Sequence, residues 1–323
     1  MTLLEVEDLH VWFGLRNGEL HAVQGVSFGL DVGERMGLVG ESGCGKTTTI
    51  LALMGLLPPN ASVAGRVLLD GEDILGGGED SVRPHRWNDI AMVFQGAMNA
   101  LNPVKTVGSQ ISEPMELHGI AEGETARHLV GDLLEMVGMP AAAAGRYPHE
   151  FSGGMRQRAA LAMALACNPK VLLADEPTTA LDVMVQAQML ELLVGLSQDL
   201  KLALVLVTHD LPVVAQVCER AAVMYAGEIV EAGSMELLYH EPRHPYTRLL
   251  FAATPDLNPD GREVVSIPGG PPRLDRPITG CPFQPRCDRA FERCPVERPG
   301  LKWVGTGHVA ACHLNDVPAE ARP

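Results

Sequence analysis

Apolar and charged positions alternate along residues 3–11, as in an edge strand, and residues 22–30 read as a second strand. Arg35–Val39 is a short apolar run that fits a buried strand. Residues 47–57 take a helical period, stopped by Pro58-Pro59. Strands are expected at 67–69 and 90–94, separated by the turn Gly76-Gly77-Gly78. From 107 to 166 the helical period dominates, with breaks at 119–123 and 140–148. Strands return at 171–174 and Ala203–Thr208, with the helical run Val183–Leu200 between them. Strands alternating with helices predict an α/β fold whose mostly parallel sheet is covered on both faces. The helical block, about residues 97–168, reads as an inserted subdomain.

Composition changes the picture at the C-terminus. Fourteen of the 24 prolines and four of the seven cysteines fall within 241–323, a segment that can be neither one long helix nor a central sheet. Residues 1–240 hold 14 Lys and Arg against 30 Asp and Glu, whereas 241–323 hold 11 against 10. Two modules are therefore expected, 1–240 and a small irregular one at 241–323. A net charge of −15 argues against a nucleic-acid partner, which needs clustered cations against phosphates. No stretch approaches the ~20 apolar residues of a membrane-spanning helix. The first residues lack the basic-then-apolar plan of a signal peptide, so the expected place is the cytoplasm, with any membrane role peripheral and through a partner.

Candidate chemistry begins at Gly40-Glu41-Ser42-Gly43-Cys44-Gly45-Lys46-Thr47, which fits G-x-x-x-x-G-K-[ST] between a strand and a helix. Glycines let the backbone wrap closely around phosphates, and amides at the helix start, through Thr48, point at the anion. Lys46 would reach the β- and γ-phosphates of ATP, and the hydroxyl of Thr47 would ligate Mg²⁺. Cys44 is read as filler rather than nucleophile. A second signature, Val171-Leu172-Leu173-Ala174-Asp175-Glu176, is an apolar strand ending in two carboxylates. Asp175 is placed to hold Mg²⁺ and Glu176 to activate the attacking water.

Phe151-Ser152-Gly153-Gly154-Met155-Arg156-Gln157 resembles the signature motif of ABC ATPases, with FSGGM where many members have LSGGQ. Gln95, Thr179-Ala180-Leu181-Asp182 and Thr208-His209-Asp210 are similar to that family's Q-loop, D-loop and switch histidine, in the family's order. The resemblance covers residues 3 to about 240 and implies a P-loop NTPase (RecA-like) core. It also implies two similar subunits clamping two ATPs head to tail. Ser152, Gly153, Gly154 and Asp182 would then act across the interface, Gln95 would sense metal and water, and His209 would contact the γ-phosphate. Phe13 resembles the aromatic residue that stacks on adenine. Trp12 is its alternative, since neighbouring strand side chains face opposite ways.

His244-Pro245-Tyr246-Thr247-Arg248-Leu249-Leu250 and Ile267-Pro268-Gly269-Gly270-Pro271-Pro272 look like the tail of the dipeptide and oligopeptide branch of ABC importers. That branch implies uptake of peptides, two membrane permeases docked near residues 96–107, a second homologous ATPase and, indirectly, an extracellular binding protein. Nickel or oligosaccharide uptake, a soluble ABC ATPase acting on nucleic acid and an exporter motor are the alternatives.

Cys281, Cys287, Cys294 and Cys312 follow C-x5-C-x6-C-x17-C in a segment with little core of its own, so a metal or cross-link is expected. Disulfides are disfavoured in a reducing compartment, and zinc sites usually carry a tight C-x2-4-C pair, absent here. Iron–sulfur clusters take four thiolates, and the branch resemblance implies a [4Fe-4S] cluster; a tail without metal remains the other reading. His308 and His313 are read as structural, Cys167 and Cys218 as small buried hydrophobes.

Overall fold

The computed structural model describes residues 2–96, 100–179, 181–254 and 266–316. The chain forms two compact units, 76–206 with 31–34 in one, and 2–30, 35–75 and 207 onward in the other. They divide the chain elsewhere than at residue 240: the cysteine-rich tail shares a unit with the phosphate loop.

That unit holds two sheets. β1 (Thr2–Leu15), β2 (Gly18–Asp31), β4 (Ala61–Leu69) and β5 (Glu72–Asp73) lie in the order β2-β1-β4-β5. β1 pairs antiparallel with β4, with a shift of register between Glu7 and His10. In the second sheet β3 (Arg35–Val39) runs parallel to β9 (Arg220–Tyr225), which pairs antiparallel with β10 (Glu228–Ser234). β12 (His308–Ala310) extends that edge antiparallel to β10, and β11 (Lys302–Gly305) pairs antiparallel with β12 beyond it. The proline-rich tail thus completes a sheet that its composition alone does not suggest. β9 and β10 are a hairpin around Ala226-Gly227, both at positive φ, and neither strand was anticipated from the periodicity.

Buried Glu231 in β10 explains how the chain after residue 240 is held. Its carboxylate accepts the amides of Arg243 (2.6 Å) and His244 (2.9 Å), and His308 Nε2 lies 2.7 Å away. A fully buried carboxylate demands such partners, because desolvation otherwise costs several kcal/mol. His244 then caps the helix Pro245–Ala252, its Nδ1 accepting from the Tyr246 amide.

The other unit carries β6 (Ile90–Val93) parallel to β7 (Val171–Asp175), with β8 (Ala203–Thr208) beyond β7. All three are buried throughout, as strands covered on both faces must be. Helices Val107–Leu117, Gly123–Met136 and Gly153–Ala164 lie between β6 and β7 in sequence, with the breaks at the expected glycines and prolines. Val183–Leu200 forms over the expected span.

Gly37 in β3 shows how closely strand and helix pack. A Cβ there would clash with Val214 on the helix Leu211–Val217, at a backbone angle that any residue could adopt. Gly37→Ala should therefore destabilise the protein by about 1–3 kcal/mol through overpacking. Adding Val214→Ala should recover most of the loss. Urea unfolding of the four proteins of this cycle measures both; strict additivity would show that the crowding is not the cause.

Candidate functional site

The phosphate loop connects β3 to the helix Lys46–Leu53. Gly40, Gly43 and Gly45 all adopt positive φ, at 149°, 82° and 109°. Two of them also need the missing side chain for space. A Cβ on Gly40 would strike the Met224 carbonyl, and one on Gly45 would lie 2.7 Å from the Ala22 carbonyl. Gly43 has nothing within 4 Å, so its requirement is conformational alone. Lys46 is only 6% exposed, and its Nζ donates to the carbonyls of Gly40 (2.8 Å) and Glu41 (3.1 Å). The ammonium is thus desolvated but satisfied, and the loop is folded around it. Cys44 is buried beneath, 3.7 Å from Lys46 Nζ, and burial raises its thiol pKa, which suits packing rather than nucleophilic attack. Ser42 is exposed, and Thr47 and Thr48 are partly so.

Phe13 and Trp12 are neighbours in β1, opposite Ala61 and Ser62 of β4. Trp12 is committed to a stack, its ring 4.6 Å from His21 and 5.3 Å from His10. Phe13 is half-buried and makes no part of that stack. His209 follows β8 and is exposed.

In the other unit, Asp175 ends β7 and is 1% exposed. Glu176 comes next at φ +45°, a strained position for a residue with a Cβ. Its carboxylate Oε2 accepts the Gln95 amide at 2.8 Å and the Thr179 hydroxyl at 3.0 Å. The structure therefore brings Gln95 and Glu176 together, and adds Thr179, which sequence reasoning had only as part of a motif. Ala180 within that motif lies outside the described residues, as do 97–99 of the expected permease dock. Ser152 caps the helix Gly153–Ala164, its hydroxyl accepting from Met155. Asp182 caps Val183–Leu200, its carboxylate accepting from Val185 at 3.0 Å. A Cβ on Gly154 would come within 2.6 Å of the Val185 side chain, so the signature and D-loop helices touch where glycine permits it.

Cys281, Cys287, Cys294 and Cys312 line one small cavity with Pro245, Phe283 and Leu314, and none is in a disulfide. Burial pushes the thiol of Cys281 up to about 11 and that of Cys312 up to about 12, and raises that of Cys287. Among the described residues no group of three or more His, Cys, Asp or Glu side chains is gathered as for a metal ion. No described helix is long and apolar enough to cross a membrane.

The family model described as ABC transporter matches residues 23–179, and that of the oligopeptide/dipeptide transporter C-terminal region matches residues 230–294. The dipeptide transport ATP-binding protein DppD of Bacillus subtilis is 45% identical over 98% of this chain and 96% of its own. The oligopeptide transport ATP-binding protein OppD of Salmonella typhimurium is 46% identical over 96% and 93%. The chain belongs to the ABC transporter ATP-binding family. Within that family it groups with the dipeptide and oligopeptide transport subunits. A solved dimer of the ATP-binding cassette MJ0796, bound to ADP and Pi after hydrolysis, aligns with a TM-score of 0.64 at 29% identity, over 72% of this chain and 98% of that one. The P-loop NTPase fold and the helical insertion follow from that membership.

The glycines of this ABC cassette separate conformation from space. Gly43→Asn should cost less than about 1 kcal/mol of folding stability, since Asn tolerates positive φ. Gly45→Asn should cost more than about 2 kcal/mol, because its Cβ meets backbone that cannot yield. Chemical denaturation of the nucleotide-free proteins checks the order; equal costs would refute the distinction.

Proposed function

We propose that this chain is the ATP-hydrolysing subunit of an ABC importer that couples hydrolysis to the uptake of di- and oligopeptides. The observation that carries the reading is the carboxylate of Glu176, fixed by Gln95 and Thr179 at the end of the strand that also presents Asp175. A general base must be oriented before it can act, and the Gln95 and Thr179 donors on Oε2 provide that orientation. Lys46 and the amides of the phosphate loop bind the β- and γ-phosphates. Thr47 and Asp175, with Gln95, supply the oxygen donors that Mg²⁺ takes. Bound there, the ion would neutralise charge on the phosphates. Phe13 stacks on adenine, and His209 contacts the γ-phosphate.

Ser152, Gly153, Gly154 and Asp182 face a second, homologous subunit, where the exposed cap of the signature helix meets that subunit's nucleotide. Losing the γ-phosphate removes contacts joining the pair, and the clamp opens. Two permeases at the cytoplasmic face of the membrane take up that motion, with the extracellular binding protein reached only through them. Peptides are favoured as cargo over nickel or oligosaccharides by the dipeptide and oligopeptide names of the relatives. The −15 charge supports a role without nucleic acid.

The four-cysteine cavity is proposed to hold a [4Fe-4S] cluster. Four free thiols line one cavity with apolar side chains, and four thiolates are the donor set that such a cluster takes. Burial favours the protonated thiols of Cys281, Cys287 and Cys312, so ligation through them would release protons.

Glu176→Gln should keep ATP binding and lower turnover at least about 100-fold, within the range general bases supply. It should also trap an ATP-bound pair, measured by steady-state hydrolysis and sedimentation. Unchanged turnover in the assembled transporter would remove Glu176 from this role. Anaerobically purified protein should be brown, and iron and sulfide analysis should find about four of each per chain; their absence would refute the cluster.

A further inference from the structure

Glu41, the second residue of the phosphate loop, turns its carboxylate to Arg286 in the tail of the chain. Its carboxylate receives both terminal nitrogens of Arg286, Nη1 to Oε2 at 2.6 Å and Nη2 to Oε1 at 2.9 Å. The Arg286 side chain is 5% exposed and makes two further bonds: Nε donates to the Pro268 carbonyl at 2.7 Å and Nη1 also donates to the Tyr225 hydroxyl at 3.3 Å. The backbone amide of Glu41 donates to the hydroxyl of Tyr246 at 2.9 Å. Tyr246, Tyr225 and Phe283 are buried against one another, with ring centroids 4.6–5.4 Å apart. Arg286 itself ends the short helical turn Gln284–Arg286, between Cys281 and Cys287.

We propose that Arg286 and Tyr246 are positioning residues of the nucleotide site, clamping the phosphate loop through Glu41. The proposal rests on the nucleotide reading of that loop. Two physical reasons assign them more than an anchoring role. First, the carbonyl of Glu41 is one of the two that hold Lys46, so the clamped residue sets where the lysine lies. Second, an anionic side chain within a loop that must accept a triphosphate opposes binding unless its charge is cancelled. The bidentate guanidinium cancels it at short range in a buried setting, where a carboxylate feels its partner strongly. The tail of the chain thereby becomes part of the ATP site, although it carries none of the family's nucleotide motifs.

The test uses the full chain and fluorescent ATP, with Lys46→Ala as the control for the site. Arg286→Met should weaken nucleotide binding on the order of tenfold, the effect of one unscreened charge several ångström from the phosphates. The double variant Arg286→Met/Glu41→Gln should return binding to within about threefold of the parent, because the offending charge is gone. An anchor without electrostatic purpose would lose as much or more in the double variant. Tyr246→Phe, nearly isosteric, should raise KM for ATP more than it lowers kcat. Circular dichroism and thermal unfolding confirm that each protein is folded, and Tyr246→Phe carries the test if Arg286→Met does not fold. Folded Arg286→Met with parental affinity, or a Tyr246→Phe protein with KM unchanged, overturns the proposal. Parental binding that survives Lys46→Ala overturns the nucleotide reading instead.

Discussion

The phosphate loop must present its backbone amides to an anion while its lysine sits nearly buried, and these demands constrain everything around it. Lys46 meets the second demand by donating to two carbonyls of its own loop. That arrangement works only if the loop bends back on itself, which positive φ at Gly40, Gly43 and Gly45 allows. The bend in turn brings Gly40 and Gly45 so close to Met224 and Ala22 that no side chain fits. One buried ammonium therefore accounts for the loop conformation, the choice of glycine and the tight approach of the strand hairpin β9–β10. A phosphate would exchange these carbonyl partners for charged oxygens, a gain that a lysine in bulk water would not obtain, because charge-assisted bonds are stronger away from solvent.

Backbone strain also falls at the other chemical centre. Glu176 takes a left-handed backbone angle that costs roughly 1–3 kcal/mol, and the two hydrogen bonds on its carboxylate help hold it there. The caps at Ser152 and Asp182 add rigidity at lower cost, each satisfying an amide of a helix that would otherwise be unpaired at its start. The chemistry-bearing residues of this unit thus stand on strand ends and helix caps, elements that move little relative to their own cores.

Much of this was legible in the chain itself, and the reasons differ by element. β3, β8 and the helix Val183–Leu200 agree in span with their apolar periods, since burial on both faces or on one stripe leaves a clear trace. The phosphate loop was legible because glycine and lysine are required there for stated physical reasons. β9 and β10 left little trace. The hairpin turns at Ala226-Gly227, a pair that carries a weak turn signal compared with Asn-Gly. β11 and β12 were hidden by proline-rich neighbours, and their pairing depends on a partner strand some 80 residues earlier. Thr179 gave no independent signal because a threonine hydroxyl acquires meaning only beside the carboxylate it meets.

The tail illustrates a further limit of reading along the chain. Its composition marked it as separate, yet it shares a unit with the phosphate loop and adds two strands to the edge of that loop's sheet. A boundary in composition records how a segment is stabilised, here by packed aromatic rings and by the hydrogen bonds of Arg286 and Glu231 rather than by aliphatic core. It does not record what the segment touches. The Glu41–Arg286 pair spans 245 positions, a separation at which periodicity carries no information, and only the folded chain brings the two charges together.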